Sequence, residues 1–328
     1  IYNFMFPKKR MLLVYGERPM FHLIDKINSR DDKYILAGAI SITHGIDNIM
    51  KLLEEYDALI IGDVPAHERN QLMKLCFGKG IRSYTVPKIS DILLRTSGEL
   101  NIFDSPLYLS RNDGLFIEQR FCKRCMDILF AGIGLLLSSP FFLIIAISIK
   151  ATDGGPVFYK QERLTKDGKH FMIYKFRTMI QNAEKDGRPR LAGEKDDRIL
   201  PVGRLLRATR LDELPQLINI LRGEMSMVGP RPERPELAAV ITSNIPEFQY
   251  RLKVKAGLTG YAQIYGKYNT TAYDKLKLDL TYIRNYSLLL DLKLMLMTPK
   301  IMLMKESTEG VSGEFSDPAM KMAEEQKA

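Results

Sequence analysis

From residue 10 to residue 97, short β-rich apolar runs alternate with stretches of helical periodicity. RMLLVYG from Arg10, YILAGAIS from Tyr34, ALIIGD from Ala58 and RSYTVPK from Arg82 read as strands. The stretches around Met20 to Ser29, Ile46 to Tyr56 and Pro65 to Gly78 read as helices, and ISDILLR from Ile89 closes the series. Such alternation predicts a parallel, doubly wound α/β sheet. A sheet of that kind suggests nucleotide binding. Here, however, the first strand ends Tyr15-Gly16-Glu17-Arg18-Pro19, with no GxGxxG to bring backbone amides against a pyrophosphate. Residues 1–97 are therefore expected to form a regulatory or packing domain, with Asp63 a turn residue, and residues 98–119 a linker with short strands.

The pattern changes at Ile128. From there to Ile149, 22 consecutive residues carry no formal charge, and a straight helix of that length would reach about 33 Å, enough to cross the hydrocarbon layer. Pro140, preceded by Ser138 and Ser139, sits near the centre. Proline removes a backbone donor and clashes with the carbonyl four residues back, so a kink is expected there, and the serine hydroxyls can bond the freed carbonyls. Arg120, Lys123 and Arg124 precede the run and Lys150 follows it, so charge assigns no orientation. A helix over 128–149 that enters the membrane, bends at Ser139-Pro140 and returns accounts for this symmetry; a spanning helix and a buried core helix are the alternatives. The apolar, Met-rich segment Leu288 to Lys305 is interrupted by Asp291, Lys293, Pro299 and Lys300, and fits either an interfacial helix pair or an ordinary core helix. The polar stretch from Ser307 to Ala328 has the composition of a disordered tail.

Charge sharpens this division. Residues 1–119 hold 15 basic and 15 acidic side chains, whereas the remainder holds 33 and 24, so all of the net +9 lies in the second part. Nucleic acid, a phosphorylated ligand and an anionic membrane all remain allowed partners. Cys122 and Cys125 form one C-x2-C with no second pair downstream, and four scattered histidines without HExxH give zinc hydrolysis and histidine-based triads little support. The chain opens at Ile1 with neither a Met nor a signal-peptide pattern, so an upstream piece is expected.

Between Arg198 and Arg234 all seven basic residues are arginine, whose rigid fork suits bidentate phosphate recognition. At the centre lies Arg207-x2-Arg210-Leu-Asp212-Glu213-Leu-Pro215-Gln216. Asp212 reads as a helix N-cap, with Pro215 in the first turn and Gly223 as the stop. That geometry would set two carboxylates at the positive end of a helix. An aspartate can attack a phosphoryl group to give an acyl phosphate, given arginines and a divalent cation to offset the crowded negative charge. Gly229-Pro230-Arg231-Pro232 holds an arginine between two prolines. Lys169 to Met179 alternates like a half-buried strand, aiming Lys175 and Arg177 to one side. Lys255-Ala-Gly257-Leu-Thr259-Gly260-Tyr261-Ala-Gln263 reads as a flexible loop with an aromatic and an amide.

Taken in order, the uncharged segment with Ser139-Pro140, Lys175-Phe-Arg177-Thr-Met, Arg207-x4-Asp212-Glu213-Leu-Pro-Gln, Gly229-Pro-Arg231-Pro and Gly257-Leu-Thr-Gly260 resemble the monotopic phosphoglycosyl transferases, the bacterial sugar transferase family. The resemblance covers roughly residues 120–306, and five blocks in order are more specific than any one motif. The first part is similar to the sheet domain of the larger members, in which a transmembrane bundle often precedes it.

The resemblance implies a fold in which an N-terminal Rossmann-like domain precedes a mainly helical, membrane-embedded catalytic domain with a re-entrant helix. It implies transfer of a sugar 1-phosphate from a UDP-sugar to undecaprenyl phosphate on the cytoplasmic face of a bacterial membrane, releasing UMP. Asp212 would be the nucleophile, Glu213 a base or electrostatic partner, and Mg2+ would bridge Asp212 and the donor phosphates. Arg207 and Arg231 would hold phosphate, Lys175 and Arg177 belong to another active-site motif, and Tyr261 and Gln263 would meet nucleotide or sugar. Lys123 and Arg124 would suit the polyprenyl phosphate head group. A homodimer is implied by resemblance alone, and nucleic acid is no longer needed to explain the charge. Two positions depart from the family's pattern: Thr165 replaces a glycine in Gln161-x-Arg163-x-Thr165-x2-Gly168, and Tyr261 replaces a tryptophan. Two other classes make different predictions. An oxidoreductase or epimerase would retain a nucleotide cofactor on the first sheet, and a non-enzymatic scaffold would leave the Asp-Glu pair dispensable.

Overall fold

In the computed structural model, β1 (Lys9–Tyr15), β2 (Tyr34–Ser41), β3 (Ala58–Ile61) and β4 (Arg82–Thr85) pair side by side in the order β2-β1-β3-β4, parallel throughout. The structure describes residues 8–16, 23–24, 27, 34–95, 97–102, 105–110, 114–181, 196, 198–266 and 270–302. Most of the helix expected around Met20 to Ser29 and the whole tail from Ser307 to Ala328 lie outside the described residues. Alternate side chains of β1 go to opposite faces. Leu12 and Val14 join Ile49 of α1 (Ile46–Leu52) and Leu72 and Cys76 of α2 (Ala66–Gly78), while Met11 and Leu13 join Ala58, Ile60 and Leu36 on the other side. Burial on both faces is why the two central strands, β1 and β3, read as near-continuous apolar runs. A Cβ on Gly16 would sit 2.2 Å from the carbonyl oxygen of Asp63, so the turns leaving β1 and β3 abut and only glycine fits.

The chain divides into two compact units, Ile1–Lys88 and Ile89–Ala328. The boundary read from sequence at residue 97 falls later, because α3 (Ile89–Arg95) belongs to the second unit. Ile89 and Ile92, one helical turn apart, are buried in the same core as Leu276, Leu280 and Ile283 of α9 (Ala272–Arg284), and Arg284 Nη2 donates to the Leu93 carbonyl at 3.2 Å. An antiparallel hairpin of β5 (Gly98–Ile102) and β6 (Ser105–Leu109) supplies the short strands expected in the linker.

The uncharged run lies within α4 (Ile117–Asp153), a single helix of 37 residues containing Pro140. As expected, the hydroxyls take up carbonyls near the proline: Ser139 Oγ donates at 2.8 Å to the carbonyl of Leu136, four residues before Pro140, and Ser138 Oγ to that of Gly134 at 2.7 Å. Among the described residues it is the one helix long and apolar enough to cross a membrane. Leu136 and Leu137 are 74% and 69% exposed, which a buried core helix would not allow. Only a minority of its residues pack inward, Ala131 beside Leu217 and Ile220 and, further along, Ile145 and Ile149 beside Phe176 and Leu206.

The rest of the second unit is mainly helical. After the antiparallel hairpin β7 (Phe158–Leu164) and β8 (His170–Phe176) come α5 (Pro201–Ala208), a 3-10 turn (Leu211–Glu213), α6 (Gln216–Arg222) and β9 (Ser226–Val228). They are followed by α7 (Pro235–Asn244), a 3-10 segment (Pro246–Lys253), β10 (Gly257–Thr259), α8 (Tyr261–Tyr265), α9 and α10 (Leu288–Met302). Where sequence allowed an interfacial helix pair, α10 is one continuous helix containing Pro299. Asp291 does not interrupt an apolar face. It is buried, bonded to Lys123 Nζ at 2.5 Å and to the Tyr282 hydroxyl at 2.7 Å, while Leu289 and Leu296 are exposed.

Candidate active site

The turn carrying Asp212 is set by its neighbours. Helix α5 ends at Ala208, and Arg210 takes a left-handed conformation, φ 59°, which reverses the chain into Leu211–Glu213. The expectation that Asp212 caps the next helix is overturned: Pro215 occupies the N-cap position and α6 starts at Gln216. The first helical donors are satisfied by backbone, Leu217 N by the Leu214 carbonyl and Ile218 N by that of Pro215. The Asp212 carboxylate is therefore left over. It is buried, and its Oδ1 accepts no hydrogen bond. Gly223 ends α6 as expected, with φ 83°.

Glu213 has the opposite surroundings. Its Oε1 accepts from Lys175 Nζ at 2.6 Å and from Arg231 Nη2 at 2.9 Å. Burial alone would lift its pKa, but the charges of Arg231 and Lys175 and their hydrogen bonds overcome this and hold the carboxyl well below its usual range. A carboxylate locked between two cations is a poor proton acceptor, so of the two roles open to Glu213 the geometry suits the electrostatic one. Burial, and then the Glu213 charge, push the pKa of Asp212 up, against the pull of Lys175, Arg210 and Arg207. Adjacent carboxylates with environments that drive them apart mark a division of labour. Arg207 Nε donates to Thr178 Oγ1 at 2.9 Å, and burial lowers its pKa. Helix α5 comes this close because a Cβ on Gly203 would lie 2.2 Å from the Thr178 carbonyl oxygen.

Strands β9 and β10 run parallel, Ser226 beside Gly257 and Val228 beside Thr259, and bring two motifs together. A Cβ on Gly257 would lie 2.0 Å from Gly229 N, so these glycines are a backbone crossing where no side chain fits. The segment read as a flexible loop is thus a strand followed by α8. The Tyr261 ring packs at a tilt against that of Tyr265, centroids 4.5 Å apart, and Gln263 Nε2 donates to the Leu258 carbonyl at 3.1 Å, leaving a buried, unpartnered Oε1. Neither side chain bonds to the Asp212-Glu213 pair.

Other predicted site residues are placed elsewhere. Arg177 follows β8 and forms a bidentate pair with Asp153 at the end of α4. Lys123 is buried against Asp291 and also receives the faces of Tyr282 and Tyr286. Its ammonium is the internal partner of that carboxylate, as burying either charge alone would be too costly. Arg124 donates to the Ile220 and Leu221 carbonyls at 2.6 and 2.7 Å, capping α6. Thr165 keeps an extended φ of −128°, so no glycine is demanded there. Its hydroxyl donates to the Glu224 carbonyl at 2.8 Å and receives Ala256 N at 3.2 Å. Sequence reading gave no role to Arg163, Arg251 and Asp279: Arg251 Nη2 donates to the Arg231 carbonyl, Arg163 Nη1 to that of Pro232, and Asp279 pairs with Arg251. They are distant in sequence, and only the arginine in the QxR turn offered a signal.

Mg2+ suits the carboxylate that remains. No group of three or more His, Cys, Asp or Glu gathers among the described residues, and the carboxylate oxygen left open at this site is Asp212 Oδ1. Magnesium is typically held by one or two carboxylates together with waters and substrate phosphates.

Comparison with known proteins gives the same direction. Residues 118–305 match the bacterial sugar transferase family. Over 262 residues, 76% of this chain and 59% of the relative, it is 36% identical to a UDP-N-acetylgalactosamine-undecaprenyl-phosphate N-acetylgalactosaminephosphotransferase of Aeromonas hydrophila. It is 41% identical over 202 residues, 60% of this chain and 42% of the relative, to a UDP-glucose:undecaprenyl-phosphate glucose-1-phosphate transferase of Klebsiella pneumoniae. To the exopolysaccharide production protein ExoY of Rhizobium meliloti it is 38% identical over 191 residues, 54% of this chain and 83% of that protein. The chain spans about half the length of the first two relatives. With more than half of its residues in the matched region and the Asp212-Glu213 pair at the centre of that region, the chain belongs to the bacterial sugar transferase family.

Proposed function

We propose that the protein transfers a sugar 1-phosphate from a UDP-sugar to undecaprenyl phosphate through a covalent intermediate on Asp212, the first step in building an exopolysaccharide, capsule or O-antigen repeat unit. The observation that carries this is a buried carboxylate oxygen without a hydrogen-bond partner, in a pair whose second member is neutralised by Lys175 and Arg231. Such an oxygen is a nucleophile held ready, not a structural acceptor. An Asp212 oxygen attacks the phosphorus that carries the sugar. The bond from that phosphorus to the oxygen of the uridine-side phosphate breaks, and UMP leaves with the electron pair. An oxygen of the acceptor phosphate then attacks the same phosphorus, and the Asp212 carboxylate is released. Arg207 and Arg231 oppose the charge on the phosphates, and Glu213 holds both Arg231 and Lys175 in place. Asp212 would hold Mg2+, which when bound supplies charge neutralisation at the donor diphosphate. The relatives' names point to glucose or N-acetylgalactosamine as the sugar.

The uncharged part of α4 enters a bacterial membrane and returns to the cytoplasmic face. Both ends of the helix support this reading. Arg124 bonds to α6, Asp153 pairs with Arg177, and Leu214 packs with the inward-facing residues from both sides of Pro140. A helix that crossed the bilayer would put about 30 Å of hydrocarbon between its ends. The parallel sheet acts as a Rossmann-like packing or regulatory domain, and the protein works as a homodimer.

The test is UMP release by purified protein given UDP-sugars, Mg2+ and undecaprenyl phosphate, for wild type and Asp212→Ala. Wild type releases UMP, the variant does not, and intact mass shows one sugar phosphate on wild type alone. Equal release by both proteins would sink the role of Asp212.

A further inference from the structure

The segment that presents Arg231 is held in an unusual way. Prolines at 230 and 232 remove two backbone donors, so it cannot join a sheet ladder in the ordinary manner. Yet its four consecutive carbonyls are each bound. That of Pro230 accepts from Gly257 N at 2.9 Å, that of Arg231 from Arg251 Nη2 at 2.9 Å, that of Pro232 from Arg163 Nη1 at 3.1 Å, and that of Glu233 from Leu164 N at 3.0 Å. Two of the four donors are guanidinium groups reaching in from β7 and from the 3-10 segment. A cavity of about 530 Å3, lined by Arg231, Glu233, Arg251 and Phe248 among others, lies beside the segment. Packing does not support it on that side, and hydrogen bonds must.

Arg251 is itself costly to place. Its side chain is 7% exposed and is balanced by Asp279 Oδ2 at 2.9 Å, on α9 and 2% exposed, and by Glu233 Oε1 at 3.6 Å. Its guanidinium lies 4.8 Å from the centroid of the Phe248 ring. Burying a cation together with its counter-ion in order to grip one backbone carbonyl has a high desolvation cost, and the carbonyl belongs to the arginine that meets Glu213.

We propose that Arg251 and Arg163, with Asp279 as the buried counter-charge of Arg251, are positioning residues that fix the Pro230 to Glu233 backbone so that the Arg231 guanidinium is held on Glu213 beside Asp212. They touch no reacting atom. They act through Arg231, and the inference rests on the transferase reading above. A displacement of about 1 Å at a catalytic group can cost roughly 100-fold in rate, so loosening this segment has a measurable consequence.

A double-variant cycle tests it, read as the rate of UMP release. Arg251→Gln lowers the rate about 10- to 100-fold, and Arg251→Lys, which can still donate one hydrogen bond, recovers a large part of it. In an Arg231→Gln background, adding Arg251→Gln costs less than about twofold, because coupled residues are not additive. A general structural defect would instead multiply the two losses, and that result overturns the proposal, as does Arg251→Gln activity within twofold of wild type. Should Arg251→Gln fail to fold by thermal melting, Arg163→Gln replaces it in the same cycle with the same expectation. A wild-type protein that releases no UMP from any donor counts against the transferase reading, whereas an active wild type with an unaffected or additive Arg251→Gln counts against the positioning role alone.

Discussion

The parallel sheet of the first unit and the backbone around Asp212 solve the same problem in opposite ways. In the sheet, amides and carbonyls pair with neighbouring strands, and both faces are closed by apolar side chains, Leu12, Leu59 and Ile61 on one and Leu13 and Ile60 on the other. Around Asp212 the backbone is irregular. A left-handed Arg210, a 3-10 turn and a proline-flanked arginine interrupt the regular ladders, and side chains converge there, Arg251 on the Arg231 carbonyl and Lys175 and Arg231 on the Glu213 carboxylate. Self-satisfied structure has little left with which to do chemistry. The irregular region keeps Asp212 Oδ1 without a hydrogen bond and sets the charges of Lys175, Arg210 and Arg207 around it.

The largest effect expected from this contrast is at Asp212. Asp212→Asn keeps the shape and lowers UMP release by about 10⁴-fold or more, since loss of a nucleophile removes the covalent route; a variant with a tenth of wild-type activity would show the oxygen to be dispensable. Glu213→Gln comes next, with a loss of roughly 100-fold as Lys175 and Arg231 lose their shared anion, measured in the same assay. Leu59→Ala, in the closed sheet, costs about 2–5 kcal/mol of stability, seen as a lower melting transition. It leaves the rate per folded molecule unchanged at low temperature, and a fall in that rate would join the two regions functionally.

A pH effect of similar size belongs to Asp279, whose burial outweighs the pull of Arg251 and raises its pKa from 3.8 to about 6. The folded state then binds more protons than the unfolded state between those values. Stability from this group is full below about pH 4 and is lost as pH rises through about 6, by something on the order of 3 kcal/mol. Asp279→Asn should flatten that part of a stability–pH curve, and an unchanged slope would assign it to another group. The smallest expected change is at Ser139→Ala, which frees the Leu136 carbonyl in α4 and costs about 1 kcal/mol in thermal melting of the membrane-reconstituted protein.

Much of this contrast was legible in the residues, and the exceptions have physical causes. Strand alternation, the long uncharged helix and the ordered motif blocks are local patterns, and they appear where sequence places them. Asp212 was misread as a cap because an aspartate before a helix is ordinarily bonded to the first-turn amides; here the carbonyls of Leu214 and Pro215 take those donors first. Lys123 looked available to a lipid phosphate because a basic residue beside an apolar run is usually solvated. Its partner Asp291 is 168 positions away, and no local pattern announces that pairing.

By itself, then, the sequence determined the alternating sheet, the membrane-length apolar helix and the arginine-only stretch around Asp212, because those depend on periodicity, composition and spacing, whereas the Asp212-Glu213 pair was singled out by the resemblance that five motif blocks in order carry. Tertiary structure decided which carboxylate stays free and which is locked, that Arg163 and Arg251 hold the carbonyls around Arg231, and that Lys123 is an internal counter-ion. Each of these is a contest for a hydrogen bond or an ion pair between groups far apart in the chain, and only folding brings the competitors together.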